Sequence, residues 1–306
     1  MSIINERFEL GTFSLKEKSE YEIESIIEQY YQYGGRYIDT AIYYGGRNKE
    51  IILAKILRKY KDMRVSSKIG YYKYIEDYRS YDYIYNEAQK TIENFEDQLH
   101  VLRVHEADWS LWWKREIKDL TKVEIDDSPV IRAMSKIFQQ HNYIKIGISG
   151  NNAKNLRKLI DLKRFDNVMI AKQYDLLWRN TRHYLVDYKY IDQTTLVVAA
   201  PFHQGHIFNL NLLMQTISKK EVCASIVSLQ KIIDESGMSI PDLTMKFLLK
   251  DNFISRIAFG VNDVRELCFL KDVDGVLDEC IYQKILDNGF LCNALSGKQY
   301  LPQHRQ

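Results

Sequence analysis

The chain has 306 residues, 45% hydrophobic and 27% charged, the make-up of a folded protein with room for one large core or two ordinary ones. Lys and Arg number 43 against 41 Asp and Glu, and a net charge of +2 is too even for a nucleic-acid or anionic-membrane surface. No apolar run approaches the roughly 20 residues that span a bilayer, and Met1-Ser-Ile-Ile-Asn-Glu-Arg7 is not a basic-then-apolar signal, so the expected location is the cytoplasm.

Short β-branched runs alternate with longer amphipathic stretches, the pattern of βα units and a parallel sheet. A first strand is expected at Phe8 to Thr12. Ser19 to Tyr33 carries Ile23, Ile26, Ile27, Tyr30 and Tyr31 at helical spacing and stops at Gly34-Gly35. The second strand is Arg36 to Asp39, followed by a helix over Asn48 to Tyr60; the third is Arg64 to Ile69. A tyrosine-rich loop, Tyr71 to Tyr83, leads into a helix ending near Leu99. The fourth strand, Val101 to His105, exits into Trp109, Trp112 and Trp113. Val130 to Gln140 reads as helix, Ile144 to Ser149 as the fifth strand, Asn152 to Leu162 as helix and Val168 to Tyr174 as the sixth strand. Leu196 to Ala200 and Arg256 to Val261 are the seventh and eighth. Helices over Lys219 to Glu235 and Pro241 to Leu249 separate them, and Asp263 to Leu270 and Gly275 to Leu286 close the chain.

Eight strands with intervening helices and no Pro/Gly/Ser linker favour a single (β/α)8 TIM barrel domain over residues 1–306. An open doubly wound sheet is the alternative, but no GxGxxG follows any strand. The four cysteines, at 223, 268, 280 and 292, form no CxxC pair and have no His at ligand spacing. They read as reduced packing thiols, and no metal site is expected.

In such a barrel the reacting groups sit at the carboxyl ends of the strands. Those ends supply Asp39, Lys68 and His105 on three successive strands, with Tyr44 five residues beyond Asp39. A phenol is a poor acid or base near neutral pH. A lysine ammonium beside it stabilises the phenolate, and a carboxylate holds that lysine charged and aimed. A neutral His105 could direct a carbonyl oxygen toward the acid. Such a site protonates an oxygen while something else attacks its carbon; it contains no nucleophile with a base beside it. Tyr43 competes with Tyr44 for the acid role, and only the spacing from Asp39 favours Tyr44. Trp109 and Tyr71 lie in loops at the rim, where an aromatic wall for the substrate would stand; packing is the plainer reading of the other tryptophans and loop tyrosines.

Asp39-Thr-Ala-x-x-Tyr44-Gly, Ser67-Lys68-Ile-Gly, Val104-His105 with Asp108 three on, and Ile146-Gly-Ile-Ser149 resemble the aldo-keto reductases, in that family's order, from Leu10-Gly-Thr-Phe to Phe259-Gly260. The resemblance implies a catalytic tetrad of Asp39, Tyr44, Lys68 and His105, with hydride moved by a bound nicotinamide. Asp77-Tyr-Arg-Ser-Tyr-Asp82 and Ala199-Ala-Pro-Phe202-x-x-Gly205 are similar to segments of the aldose dehydrogenases within it, which implies a carbonyl or sugar substrate. It further implies that Ser149 or Asn151, and Gln173, hold the nicotinamide carboxamide, and that Pro201, Phe202 and Gly205 run along the pyrophosphate. Three positions depart from the family. Ala199 stands where many members stack a tyrosine, and Ser149 is followed by Gly150 rather than Asn. Gly260 replaces the basic residue that often grips a 2′-phosphate, with Asn262 and Arg265 nearby, so NAD is expected at least as readily as NADP. The competing readings are a nicotinamide-nucleotide-binding barrel that does not turn over, serving as a sensing or scaffold subunit, and a Schiff-base lyase built on Lys68.

Overall fold

The computed structural model describes residues 3–216 and 220–291. Eight strands, β1 (Phe8–Gly11), β2 (Tyr37–Asp39), β3 (Arg64–Ile69), β4 (Leu99–Val104), β5 (Lys145–Gly150), β6 (Asn167–Ala171), β7 (Thr195–Ala199) and β8 (Arg256–Gly260), close into a barrel in sequence order. Every neighbouring pair is parallel, and β8 returns to β1 with Phe8 opposite Ile257 and Gly11 opposite Gly260. This is the (β/α)8 architecture that the alternating pattern predicts.

The helices around it are α1 (Ile3–Arg7), α2 (Glu20–Gln32), α3 (Gly46–Leu57), α4 (Tyr81–Phe95), α5 (Lys122–Asp126), α6 (Pro129–Gln140), α7 (Ala153–Leu162), α8 (Asn180–Leu185), α9 (Leu210–Thr216), α10 (Lys220–Ser236), α11 (Ile240–Lys250) and α12 (Glu279–Asn288). Their boundaries follow local chemistry. At the start of α2, Ser19 accepts from the Glu22 N–H while Glu22 bonds back to the Ser19 N–H, a reciprocal capping box. Asn152 caps α7 by accepting from the Asn155 N–H, which fixes the loop leaving β5.

Alternation along the strands sorts the interior. Phe8, Leu10, Ile38, Val65, Ile69, Leu102 and Val104 belong to the core between strands and helices. The intervening residues face into the barrel, and there Met169, Val197, Ala199 and Ala258 form a small apolar cluster of their own. The other half of the interior is polar: Glu9, Asp39, Lys68 and Arg103 are all buried.

The structure shifts several expected elements. β6 ends at Ala171 rather than Tyr174, because Lys172 takes φ 61° and its N–H turns to the Ala199 carbonyl. The helix expected from Tyr83 to Leu99 runs from Tyr81 to Phe95, since Ser80 supplies the cap and Glu96 leaves the helix with φ 53°. Asp263 to Leu270 is a run of 3-10 turns over Val264–Lys271, and α12 starts at Glu279, where Asp278 caps it, not at Gly275. The short helices α1, α5, α8 and α9 carry too few turns to show a periodic face and were not expected. Cys268 and Cys280 are exposed and Cys223 is half-buried, so the packing-thiol reading fails for the first two; Cys292 and Lys219 lie outside the described residues. Among the described residues no helix is long and apolar enough to cross a membrane.

Candidate active site

Asp39 ends β2, Lys68 lies one residue before the end of β3, and His105 immediately follows β4. The strand exit at Asp39 is pinned on both sides, by the Thr12 N–H to the Asp39 carbonyl at 2.9 Å and by the Thr40 N–H to the Ser66 carbonyl at 2.8 Å. The chain then folds back, with the Tyr44 N–H on the Ala41 carbonyl at 2.9 Å and Gly45 at φ 95°, a conformation glycine adopts without a Cβ clash. That turn places the two tyrosines differently. Lys68 Nζ lies 3.2 Å from the Tyr44 hydroxyl, whereas Tyr43 points outward and stacks on Tyr71 at 3.8 Å between ring centres.

The lysine is held on four sides. Its ammonium donates to both Asp39 oxygens at 2.7 Å each and to the Thr40 carbonyl at 3.0 Å, besides meeting Tyr44, and the residue is 1% exposed. Burial pulls the Lys68 ammonium below its ordinary range while Asp39 opposes the fall. Burial also pushes the Tyr44 phenol well above its ordinary value, with the Asp39 charge adding to the rise. His105 is pulled well below its ordinary range by burial, then by the nearby Lys68 and Arg103 charges, so it is a neutral imidazole. Its Nδ1 is buried and without a hydrogen-bond partner among the described residues, and its ring meets Tyr44 edge-on at 5.8 Å.

Two carboxyls follow His105. Glu106 is buried with φ 48°, receives the Asn151 side-chain amide on both oxygens at 2.6 and 2.7 Å, and accepts from the Tyr71 hydroxyl at 3.1 Å. Asp108 accepts the Asn151 N–H at 2.9 Å, and a Cβ on Gly150 would come 2.4 Å from its other oxygen. Burial, reinforced by Asp108, pushes the Glu106 carboxyl up to about 8, and burial raises Asp108 to about 6, so the pair retains a proton near neutral pH. Tyr71 packs on His105 at 4.7 Å and on Trp109 at 5.0 Å; Trp112 and Trp113 are buried and donate to the carbonyls of His105 and Ala107.

The sequence profile of the aldo/keto reductase family matches residues 7–268. The chain belongs to the aldo/keto reductase family. Membership implies NAD(P)-dependent oxidoreduction of carbonyl compounds. No curated protein matches the chain. Among solved structures, the aldo-keto reductase AKR11C1 from Bacillus halodurans in its holo form is similar with a TM-score of 0.68 and 18% identity, over 98% of this chain and 95% of that one. The thermostable aldo-keto reductase Tm1743, in complex with the inhibitor epalrestat, is similar with a TM-score of 0.64 and 18% identity, over 92% of this chain and 94% of that one.

The residues on the β5 to β8 side fit the nicotinamide cofactor that aldo/keto reductases use. Ala171, Ala199 and Ala258 stand side by side in register on β6, β7 and β8 and leave a floor of methyl groups for a flat ring. Ser149 donates its hydroxyl proton to the Val104 carbonyl at 3.2 Å and keeps its oxygen as an acceptor; Gln173 makes one long contact, 3.4 Å, to the Lys172 carbonyl. The Asn151 side-chain amide rests on both Glu106 oxygens. Past β7, His203, Gln204 and Gly205 take φ of 48°, 58° and 92°, which wraps the loop holding Pro201, Phe202 and Gly205 into the curvature that suits an anion. At the end of β8 and just past it, Gly260, Asn262 and Arg265 are all exposed. Arg265 is paired with Asp263 at 2.8 Å, and the Asn262 N–H is capped by Glu266 at 2.7 Å.

Proposed function

We propose that this chain is a carbonyl reductase or alcohol dehydrogenase in which Tyr44 is the proton donor, Lys68 and Asp39 tune it, and His105 orients the substrate oxygen. The observation that carries the reading is Lys68 Nζ, 2.7 Å from both Asp39 oxygens and 3.2 Å from the Tyr44 hydroxyl in one buried cluster at the barrel mouth. Bound nicotinamide supplies or takes the hydride. Burial keeps Tyr44 protonated, so the resting site holds an acid ready for an oxygen, which suits reduction. Neutral His105 donates a hydrogen bond to that oxygen and fixes its direction.

Ser149 and Gln173 are assigned to the carboxamide, the loop of Pro201, Phe202 and Gly205 to the pyrophosphate, and Gly260, Asn262 and Arg265 to the far ribose. Arg265 is paired with Asp263, Glu266 caps the Asn262 N–H, and Gly260 brings no basic side chain to a 2′-phosphate, which supports NAD at least as readily as NADP. Tyr71 and Trp109 beside Glu106 and Asn151 combine an aromatic face with hydrogen-bonding groups, a surface suited to a sugar or sugar derivative. A Schiff base on Lys68 is disfavoured, because its three protons are engaged by Asp39, Thr40 and Tyr44.

Isothermal titration with NAD and NADP, followed by an aldehyde and sugar panel with the tighter form, tests this reading. Tyr44→Phe should lower turnover by about two to four orders of magnitude and leave nucleotide affinity unchanged. Full turnover in Tyr44→Phe sinks the assignment, and tight nucleotide binding with no turnover of any substrate favours the sensing or scaffold role.

A further inference from the structure

The barrel interior below the site holds a second buried cation. Arg103 lies on β4 two residues before His105, on the same inward face, and is fully buried. Its Nη1 donates to Asp39 Oδ1 at 2.8 Å, its Nε to the Asn167 side-chain oxygen on β6 at 2.7 Å, and its Nη2 lies 3.4 Å from Glu9 on β1, itself 1% exposed. To reach β6 the side chain must pass β5, where its register partner is Gly147. Nothing larger fits there, since a Cβ on Gly147 would come 2.5 Å from the Asn167 carbonyl. The result is a line of alternating charge, Glu9, Arg103, Asp39 and Lys68, that ends on the Tyr44 hydroxyl.

We propose that Arg103 is a positioning residue for the reaction: it shares Asp39 with Lys68, fixes that carboxylate from below, and sets how readily the Lys68–Tyr44 pair gives up its proton. A packing arginine would not need the same carboxylate oxygen that Lys68 uses, at 2.7 Å from one cation and 2.8 Å from the other. A carboxylate divided between two cations neutralises each of them less. The uncompensated positive charge acts on the lysine and the phenol together, and both lose a proton more easily than they would beside Asp39 alone. Asn167 and Glu9 keep the guanidinium oriented so that it contributes charge at a fixed point.

Other groups face the pair; of these His105 also feels the Arg103 charge, and without it burial and Lys68 still hold the imidazole neutral. Tyr71 and Glu106 approach from the loops after β3 and β4, His105 from the end of β4, and Lys16 and Lys49 share a small cavity with Tyr44 on the outer side. Arg256 on β8 acts on Glu9.

The inference rests on Tyr44 as proton donor, and its test is the high-pH limb of carbonyl reduction, read in a Glu106→Gln background so that the limb belongs to the Lys68–Tyr44 pair alone. Arg103→Met should raise that limb by about one pH unit, the low end of what a neighbouring charge does, with nucleotide affinity unchanged. Arg103→Lys, which keeps the charge, should restore the limb of that background. Should Arg103→Met fail to fold, Glu9→Gln/Arg103→Met removes both remote charges together and should raise the limb in the same sense. A limb that stays in place in either folded variant overturns the role of Arg103. Full turnover in Tyr44→Phe instead overturns the reading of the site, so the two failures are distinguishable.

Discussion

The pairing of Lys68 with Asp39 can be measured as a coupling energy. Lys68→Met replaces a buried ammonium by an apolar chain of similar length and leaves Asp39 with Arg103 on Oδ1 and nothing charged on Oδ2. Removing one partner of a buried pair costs about 3–5 kcal/mol, and the surviving Arg103 places Lys68→Met near the lower figure. Asp39→Asn strands two cations at once and belongs near the upper one. The double variant leaves Arg103 with Glu9 and Asn167 and no longer strands Lys68, so it should lose no more than Asp39→Asn alone. The cycle then closes with a coupling of about 3 kcal/mol. Urea unfolding followed by tryptophan fluorescence reads it, and each single change should lower Tm by about 5–8 °C in a chain of this size. Single effects that add to within about 0.5 kcal/mol would show that the two charges are not paired in the folded protein.

Gly147→Ala forces a Cβ to 2.5 Å from the Asn167 carbonyl and 3.0 Å from its Cβ; overpacking and disturbance of the Arg103 contact should together cost about 2–4 kcal/mol, and a melting temperature unchanged from wild type would refute the close approach. Glu106 has a folded-state pKa raised from 4.5 to about 8, so its contribution is fully present below 4.5 and is lost as pH rises through about 8. Glu106→Gln should therefore gain on the wild type across that window in melts taken at several pH values; a difference independent of pH would mean that the carboxyl is ordinary.

The barrel and the four titratable groups at its mouth were legible because both rest on patterns that one sequence displays. Strand ends follow from where apolar runs stop, and Asp39, Lys68 and His105 each stand at such a stop. The choice between Tyr43 and Tyr44 was not settled by spacing alone; it depends on the backbone turn through Ala41 to Gly45, and Gly45 at φ 95° is the residue whose conformation the sequence only hints at. Glu9, Arg103 and Asn167 were missed, although Arg103 sits two residues from His105 and so had to share its face. A single charged residue inside Phe8-Glu9-Leu10 or Leu102-Arg103-Val104 reads as an interruption until the barrel closes and brings the interruptions together. The contact between the Asn151 side chain and Glu106, 45 residues away, was not legible because Glu106 carries no motif.

The departure at Gly150 has a steric cause within the same structure. An Asn after Ser149 is the family's pattern, yet any side chain at 150 would meet the Asp108 carboxyl, which the Asn151 N–H holds in place. The space and the polar group are therefore supplied from the loop after β4 rather than from β5. Asp108 keeps one oxygen buried and without a partner among the described residues. Asp108, beside Glu106, adds negative charge to the mouth only when the pair gives up its shared proton. Near neutral pH the pair holds it, and the rim beside Tyr44 then carries less of the negative charge that would oppose a carbonyl oxygen gaining charge during reduction. Above the point where Glu106 ionises, the same rim turns against that oxygen, so loss of reductive activity at high pH has a second source besides the Lys68–Tyr44 pair. In Glu106→Gln this second source is absent, and the limb that remains belongs to the pair alone.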